Sequence, residues 1–188
     1  MKGSILRTDS YKITHWAQDP PDVTGKYAYL ESRGGMFKET VFFGLQPYLK
    51  KYLAGRIVDN EELMESTELF NEHFQRPDAY NLGGWKHILS DHDAKWPVEI
   101  RAVPEGTIVP IHNVLLSIQN TCPKCAWVGP YLETLLMKVW YPTTVATLSY
   151  HMRKLILGFL ERSGTPGLID YIVQDFGYRG VSSEESAT

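Results

Sequence analysis

Apolar and polar positions along the chain change period several times, and each change marks an element. Lys26 to Arg33 is rich in β-forming residues and stops at Gly34-Gly35, which predicts a strand followed by a flexible loop. From Glu39 the apolar residues Phe42, Leu45, Leu49, Tyr52 and Leu53 fall at helical spacing, with Gly55 as a stop. Asp59 with Glu62 three residues on is a capping-box start for a helix through Phe70 to about His73. A short helix around Trp85 to Leu89 follows Gly83-Gly84. Val98 to Val103 and Val114 to Gln119 read as strands of one sheet, with Pro104-Glu105-Gly106 turning into a third, Thr107 to Val109.

The C-terminal third is helical until its end. Pro130 suits a first helical turn, and Tyr131, Leu135, Leu136 and Val139 share one face down to Tyr141-Pro142. A long helix follows, with Val145, Leu148, Met152, Leu155, Ile156, Phe159 and Leu160 expected on its buried side. Gly164-Thr165-Pro166-Gly167 ends it, and Leu168 to Val173 reads as a short buried strand. Near the N-terminus, Asp19-Pro20-Pro21-Asp22 breaks the chain. Helices mixed with a mainly antiparallel sheet, without regular β-α-β alternation, define an α+β chain.

Composition narrows this to a globular class. Of 188 residues 43% are hydrophobic and 22% charged, in the range of a folded domain rather than a disordered one. A net charge of −3 offers no concentrated basic face for nucleic acid. The apolar runs are too short to span a bilayer, and Met1-Lys2-Gly3 opens no signal peptide, so a cytoplasmic protein is expected. Two cysteines give no disulfide framework.

Cys122-Pro123-Lys124-Cys125 is the most visible chemical motif, open to three readings: half a zinc site, a redox pair, or a turn. No second cysteine pair exists, and His15, His73, His87, His92, His112 and His151 are read as lacking the paired spacing of a zinc finger. The turn is preferred and no metal is expected. Asp9-Ser10-Tyr11-Lys12 looks like a capped helix start with Lys12 exposed. Arg33-Gly34-Gly35 has the makings of an anion-binding loop. In Asp175-Phe176-Gly177-Tyr178-Arg179-Gly180 an aromatic ring, a freed backbone and a guanidinium suit a flat ligand carrying a negative group.

Six segments in one order carry a resemblance. They are Asp9-Ser10-Tyr11-Lys12-x-Thr14-His15, Glu31-Ser32-Arg33, Thr40 to Gln46, Ala102 to Gly106, Trp140-Tyr141-Pro142-x-Thr144-Val145-Ala146-Thr147, and Asp175 to Ser183. Together they resemble the N-terminal part of the nicotinamide phosphoribosyltransferases, in the form with a short connection at Arg33-Gly34-Gly35. The resemblance implies transfer of ribose phosphate from phosphoribosyl pyrophosphate to nicotinamide, giving nicotinamide mononucleotide in NAD salvage. It implies a homodimer with shared sites: Phe176 on one face of the pyridine ring, Tyr11 of the other subunit on the opposite face, Arg179 and Arg33 on phosphate groups, and Asp9 nearby. Mg2+ accompanies phosphoribosyl pyrophosphate in the full-length family, with no cofactor held by this chain alone.

The same resemblance divides the chain into residues 1–167, an N-terminal α+β domain, and residues 168–188, the first strand of a type II phosphoribosyltransferase α/β barrel. The family's catalytic histidine, its acidic carboxamide contact and its glycine-rich phosphate loop have no counterpart here. A truncated gene product, a deliberately cut piece, and one half of a split enzyme needing a C-terminal half all fit this reading. A non-catalytic interaction module is the rival from another class.

Overall fold

The computed structural model describes residues 3–187. The strands are β1 (Tyr27–Glu31), β2 (Glu39–Val41), β3 (Val98–Ala102), β4 (Ile108–Pro110) and β5 (Val114–Asn120). The helices are α1 (Leu45–Tyr48), α2 (Asn60–Phe74), α3 (Leu82–Asp91), α4 (Val128–Leu136), α5 (Trp140–Ser163), α6 (Ile169–Ile172) and α7 (Glu184–Ala187). A π-helical stretch, Leu49–Leu53, continues α1. This is the expected mixture of helices and antiparallel sheet. The chain divides into two compact, interleaved units.

The first unit holds the chain up to Leu30 with Tyr48–Ala102 and Leu116–Lys138. Its three-stranded sheet has the order β1-β5-β3, with β3 and β5 antiparallel from Val98 opposite Asn120 to Ala102 opposite Leu116. The N-cap forms as read, the Asp59 carboxylate accepting the Glu62 N–H at 2.9 Å at the start of α2, but the box is not closed: the Glu62 carboxylate accepts the Ile5 N–H instead. Helix α3 begins earlier than expected. The Asn81 side chain accepts the Gly84 N–H at 2.9 Å, and this cap draws Gly83 and Gly84 into the helix. The centre of the core is aromatic. Trp85 is fully buried and meets Trp96, Trp127 and Tyr131 edge-on, with ring centroids 5.3, 5.4 and 5.3 Å away. That arrangement suits the quadrupoles of the rings.

The second unit comprises Glu31–Pro47, Val103–Leu115 and the chain from Val139. Glu39–Val41 is a strand here, not the start of a helix: it pairs antiparallel with β4, Glu39 opposite Pro110 and Val41 opposite Ile108. The turn at Glu105-Gly106 therefore leads into a separate two-stranded sheet rather than a third strand beside β3 and β5. The β-branched pair Thr40-Val41 favours this outcome, and the helix waits until Leu45. Gly44 makes the change of direction at φ 99°, and Pro142 packs against the space a Cβ would need.

Two threonines of α5 lock that corner. Thr147 Oγ1 accepts the Val41 N–H at 2.9 Å, meets Thr40 Oγ1 at 2.9 Å, and donates to the Thr143 carbonyl at 2.7 Å. Thr143 Oγ1 donates to the Phe43 carbonyl at 2.9 Å. The Glu105 carboxylate accepts the N–H groups of Gly44 at 2.6 Å and Gln46 at 2.9 Å. Orphan donors at the start of α1 are thereby satisfied.

Two expectations about the C-terminal third are corrected. Leu168 to Val173 is not a strand. Pro166–Leu168 forms a 3-10 turn and Ile169–Ile172 a single helical turn. A strand requires a ladder partner for its backbone groups, and none of the described strands pairs with this segment. A helical turn satisfies those groups locally, and Arg153 secures it by donating to Asp170 at 2.7 Å. The second correction concerns α5. Leu148, Met152, Leu155 and Phe159 are 47, 43, 65 and 56% exposed, so the apolar stripe read as buried is open in this chain. Among the described residues no helix is long and apolar enough to cross a membrane.

Candidate functional site

The five residues to which the sequence points fall into two groups. Asp9 and Tyr11 belong to the first unit, Arg33, Phe176 and Arg179 to the second. In the first unit Asp9 stands in extended conformation ahead of the 3-10 turn Ser10–Ile13. Its carboxylate does not cap that turn but accepts from Thr134 Oγ1 on α4 at 3.1 Å. Thr8 Oγ1 adds a bond to the Tyr131 carbonyl at 3.0 Å. Lys12, expected to be exposed, is 7% exposed and pairs with Glu133. These anchors on α4 hold the N-terminal turn, together with Ser10 Oγ at 2.6 Å from His73 Nε2 on α2. Tyr11 beside it is 54% exposed, its ring 5.1 Å from that of His15.

In the second unit Arg33 is exposed on a loop whose next residues, Gly34 and Gly35, have φ of 109° and 155°. The loop is held by the His112 N–H on the Ser32 carbonyl at 2.8 Å. Phe176 is 68% exposed, and the Arg179 guanidinium carbon lies 6.0 Å from its ring centroid. Asp175 Oδ1 accepts the Gly177 N–H at 2.6 Å and shapes the turn that presents the pair. Tyr178 points elsewhere: it donates to Glu184 at 2.6 Å, and this bond raises its phenol pKa. An exposed aromatic ring with a guanidinium over it offers stacking and anion contact from a single turn.

A second gathering of side chains lies outside what the sequence reading found. His87, His92, Cys122 and Cys125 of the first unit place one ligand atom each within 4.8 Å of one another. The spacing His87-x4-His92 is in fact a pair of the kind metal sites use, and it is easily overlooked because it precedes the cysteines instead of following them. Cys125 is fully buried. That burial, with the Cys122 thiol beside it, pushes its pKa up to about 12. Among the described residues this is the one group of His, Cys, Asp or Glu side chains close enough to hold an ion. Its nitrogen and sulfur atoms do not suit Mg2+, so no described residue is assigned to that ion.

The chain is similar to one known family along nearly its whole length. Residues 4–100 match the family model described as nicotinamide phosphoribosyltransferase, N-terminal domain. The chain is 44% identical over 185 residues to the nicotinamide phosphoribosyltransferase of Xanthomonas campestris, covering 97% of this chain and 39% of that protein. The nicotinamide phosphoribosyltransferase of Acinetobacter baylyi is 27% identical over 190 residues, covering 93% of this chain and 37% of that protein. Among solved structures, human nicotinic acid phosphoribosyltransferase matches with a TM-score of 0.59 and 23% identity, covering 81% of this chain and 29% of that one. The last likeness is one of fold. The chain belongs to the nicotinamide phosphoribosyltransferase family and corresponds to its N-terminal region, spanning about two fifths of the length of the curated relatives it matches.

Proposed function

We propose that this chain supplies part of the substrate site of a nicotinamide phosphoribosyltransferase, which joins nicotinamide to the ribose phosphate of phosphoribosyl pyrophosphate. The observation that carries the reading is the 44% identity running across 97% of the chain. The exposed Phe176–Arg179 pair supports its location, because a ring left open to this extent has a free face for a pyridine. Phe176 stacks on one face of nicotinamide, and Tyr11 of the partner subunit stacks on the other. Arg179 and Arg33 meet the phosphate and diphosphate groups, and the fixed guanidinium charges stabilise the departing pyrophosphate. Asp9 holds the N-terminal turn against Thr134 and keeps Tyr11 at the site. Residues 1–167 are the N-terminal α+β domain of that enzyme.

The remaining three fifths of the relatives' length carries the rest of the chemistry, so the 188 residues alone make no nicotinamide mononucleotide. Incubating the purified chain with nicotinamide and phosphoribosyl pyrophosphate and assaying product by mass spectrometry checks this. Turnover above the uncatalysed background would overturn it. A second reading, a half that works only with a partner, is favoured by the open apolar stripe on α5.

A further inference from the structure

We propose that His87, His92, Cys122 and Cys125 bind one structural Zn2+ ion in a closed, tetrahedral two-cysteine, two-histidine site. In such a site Zn–S bonds of about 2.3 Å and Zn–N bonds of about 2.0–2.1 Å put neighbouring ligand atoms about 3.3–3.8 Å apart. His87 Nε2 lies 3.4 Å from Cys122 Sγ, inside that range, and all four ligand atoms lie within 4.8 Å. Small side-chain rotations close the remainder, since the residues already share one spot and one local fold.

Three further features point to an ion rather than to a turn with histidines near it. His92 Nε2 is buried and has no hydrogen-bond partner, and a buried imidazole nitrogen without one is costly. A zinc ion satisfies it. His87 Nδ1 is 2.8 Å from the Asp91 carboxylate one helical turn away. That pairing leaves Nε2 facing Cys122 and repeats the carboxylate–histidine–metal relay that orients zinc-bound imidazoles. The two rings meet at an interplanar angle of 88° with centroids 5.0 Å apart, so they approach one point from different directions. A turn at Cys122-Pro123-Lys124-Cys125 accounts for the sulfur atoms alone. It does not account for two imidazoles brought from the end of α3.

The donor set selects the metal. Two thiolates and two imidazoles in tetrahedral array suit Zn2+, with no open position for substrate. On binding, the ion displaces the thiol protons and forms two Zn–S and two Zn–N bonds, with no change of oxidation state. Its place in the fold makes its role structural, because it ties the end of α3 to the connection between β5 and α4, beside the aromatic core around Trp85. The inference is independent of the transferase reading.

The test uses the 188-residue chain without a polyhistidine tag, purified with Zn2+ and then dialysed against metal-free buffer. Elemental analysis is expected to find about one Zn2+ per chain, and the Co2+-exchanged protein to show the intense visible bands of a tetrahedral thiolate site. The double variant Cys122→Ser, Cys125→Ser is expected to retain at least about tenfold less zinc, with a melting temperature lower by roughly 5–10 °C. His92→Ala is expected to lose the tetrahedral cobalt spectrum. Should the variants fail to fold, the wild-type zinc content and cobalt spectrum decide the matter. Zinc below about 0.1 per wild-type chain, an octahedral cobalt spectrum, or a Cys122–Cys125 disulfide in freshly purified protein would each overturn the proposal.

Discussion

Glu62 shows how one residue can serve a helix cap, a long-range contact and a titration together. It follows the helix cap at Asp59, and its Oε1 accepts the Ile5 N–H at 3.0 Å, joining the N-terminal segment to α2. Burial raises its pKa above 4.5, outweighing the Ile5 N–H, which lowers it. A raised carboxyl pKa means that the folded state holds its proton more tightly than the unfolded one. The contribution to stability is therefore present below the unfolded value and is lost as pH rises through the folded one. Glu62→Gln keeps an oxygen acceptor for Ile5 and does not titrate. Its stability relative to wild type should rise as pH increases from about 4.5, then level off. Urea titrations at a series of pH values check this, and a difference independent of pH would refute it.

At the scale of elements, α5 decides more than its own hydrophobic pattern suggests. Thr143 and Thr147 are buried polar residues: Thr147 reaches the Thr40 hydroxyl and the Val41 N–H of β2, and Thr143 the Phe43 carbonyl just beyond it. Thr147→Val keeps the shape but strands the Val41 N–H and the Thr40 hydroxyl. The expected cost is roughly 2–6 kcal/mol, at about 1–3 kcal/mol for each of the two buried unsatisfied groups. Chemical denaturation should show the midpoint falling with the slope unchanged, and Thr147→Ser should lose less. The helix itself was legible in the sequence, as were α2 and the strands β1, β3, β4 and β5. Strand β2 was not, because Phe42 and Leu45 fall at helical spacing by coincidence. Its partner β4 lies far along the chain, where no local pattern can report it.

For the whole molecule, the exposed stripe Leu148, Met152, Leu155 and Phe159 is the dominant surface feature of α5. Apolar residues clustered in this way mark an interaction surface. Self-association at tens of micromolar is therefore expected by analytical ultracentrifugation. The double substitution Leu155→Glu, Phe159→Glu should shift the chain toward monomer without loss of helical signal. A wild-type chain that sediments as a folded monomer over this range would contradict the expectation. The helical turn at Ile169–Ile172 belongs to the same picture: an apolar segment without a strand partner settles its backbone bonds within itself.

Family membership was written in the sequence. Ordered motifs such as Asp9 to His15 and Asp175 to Ser183 survive as strings of residues and need no coordinates to be read. The chain alone also determined the caps, since Asp59 and Asn81 act on N–H groups only a few residues away. Tertiary structure decided what depends on distant partners. It turned Lys12 inward to Glu133, set Glu105 on the amides of Gly44 and Gln46, and left the face of α5 uncovered. It also brought His87 and His92 to Cys122 and Cys125 across a separation of 35 residues between His87 and Cys122. A helix end and a loop meet there because the aromatic core packs α3 against the start of α4, through Trp85 and Trp127. Such packing is a property of the folded chain, and periodicity records only the faces that take part in it.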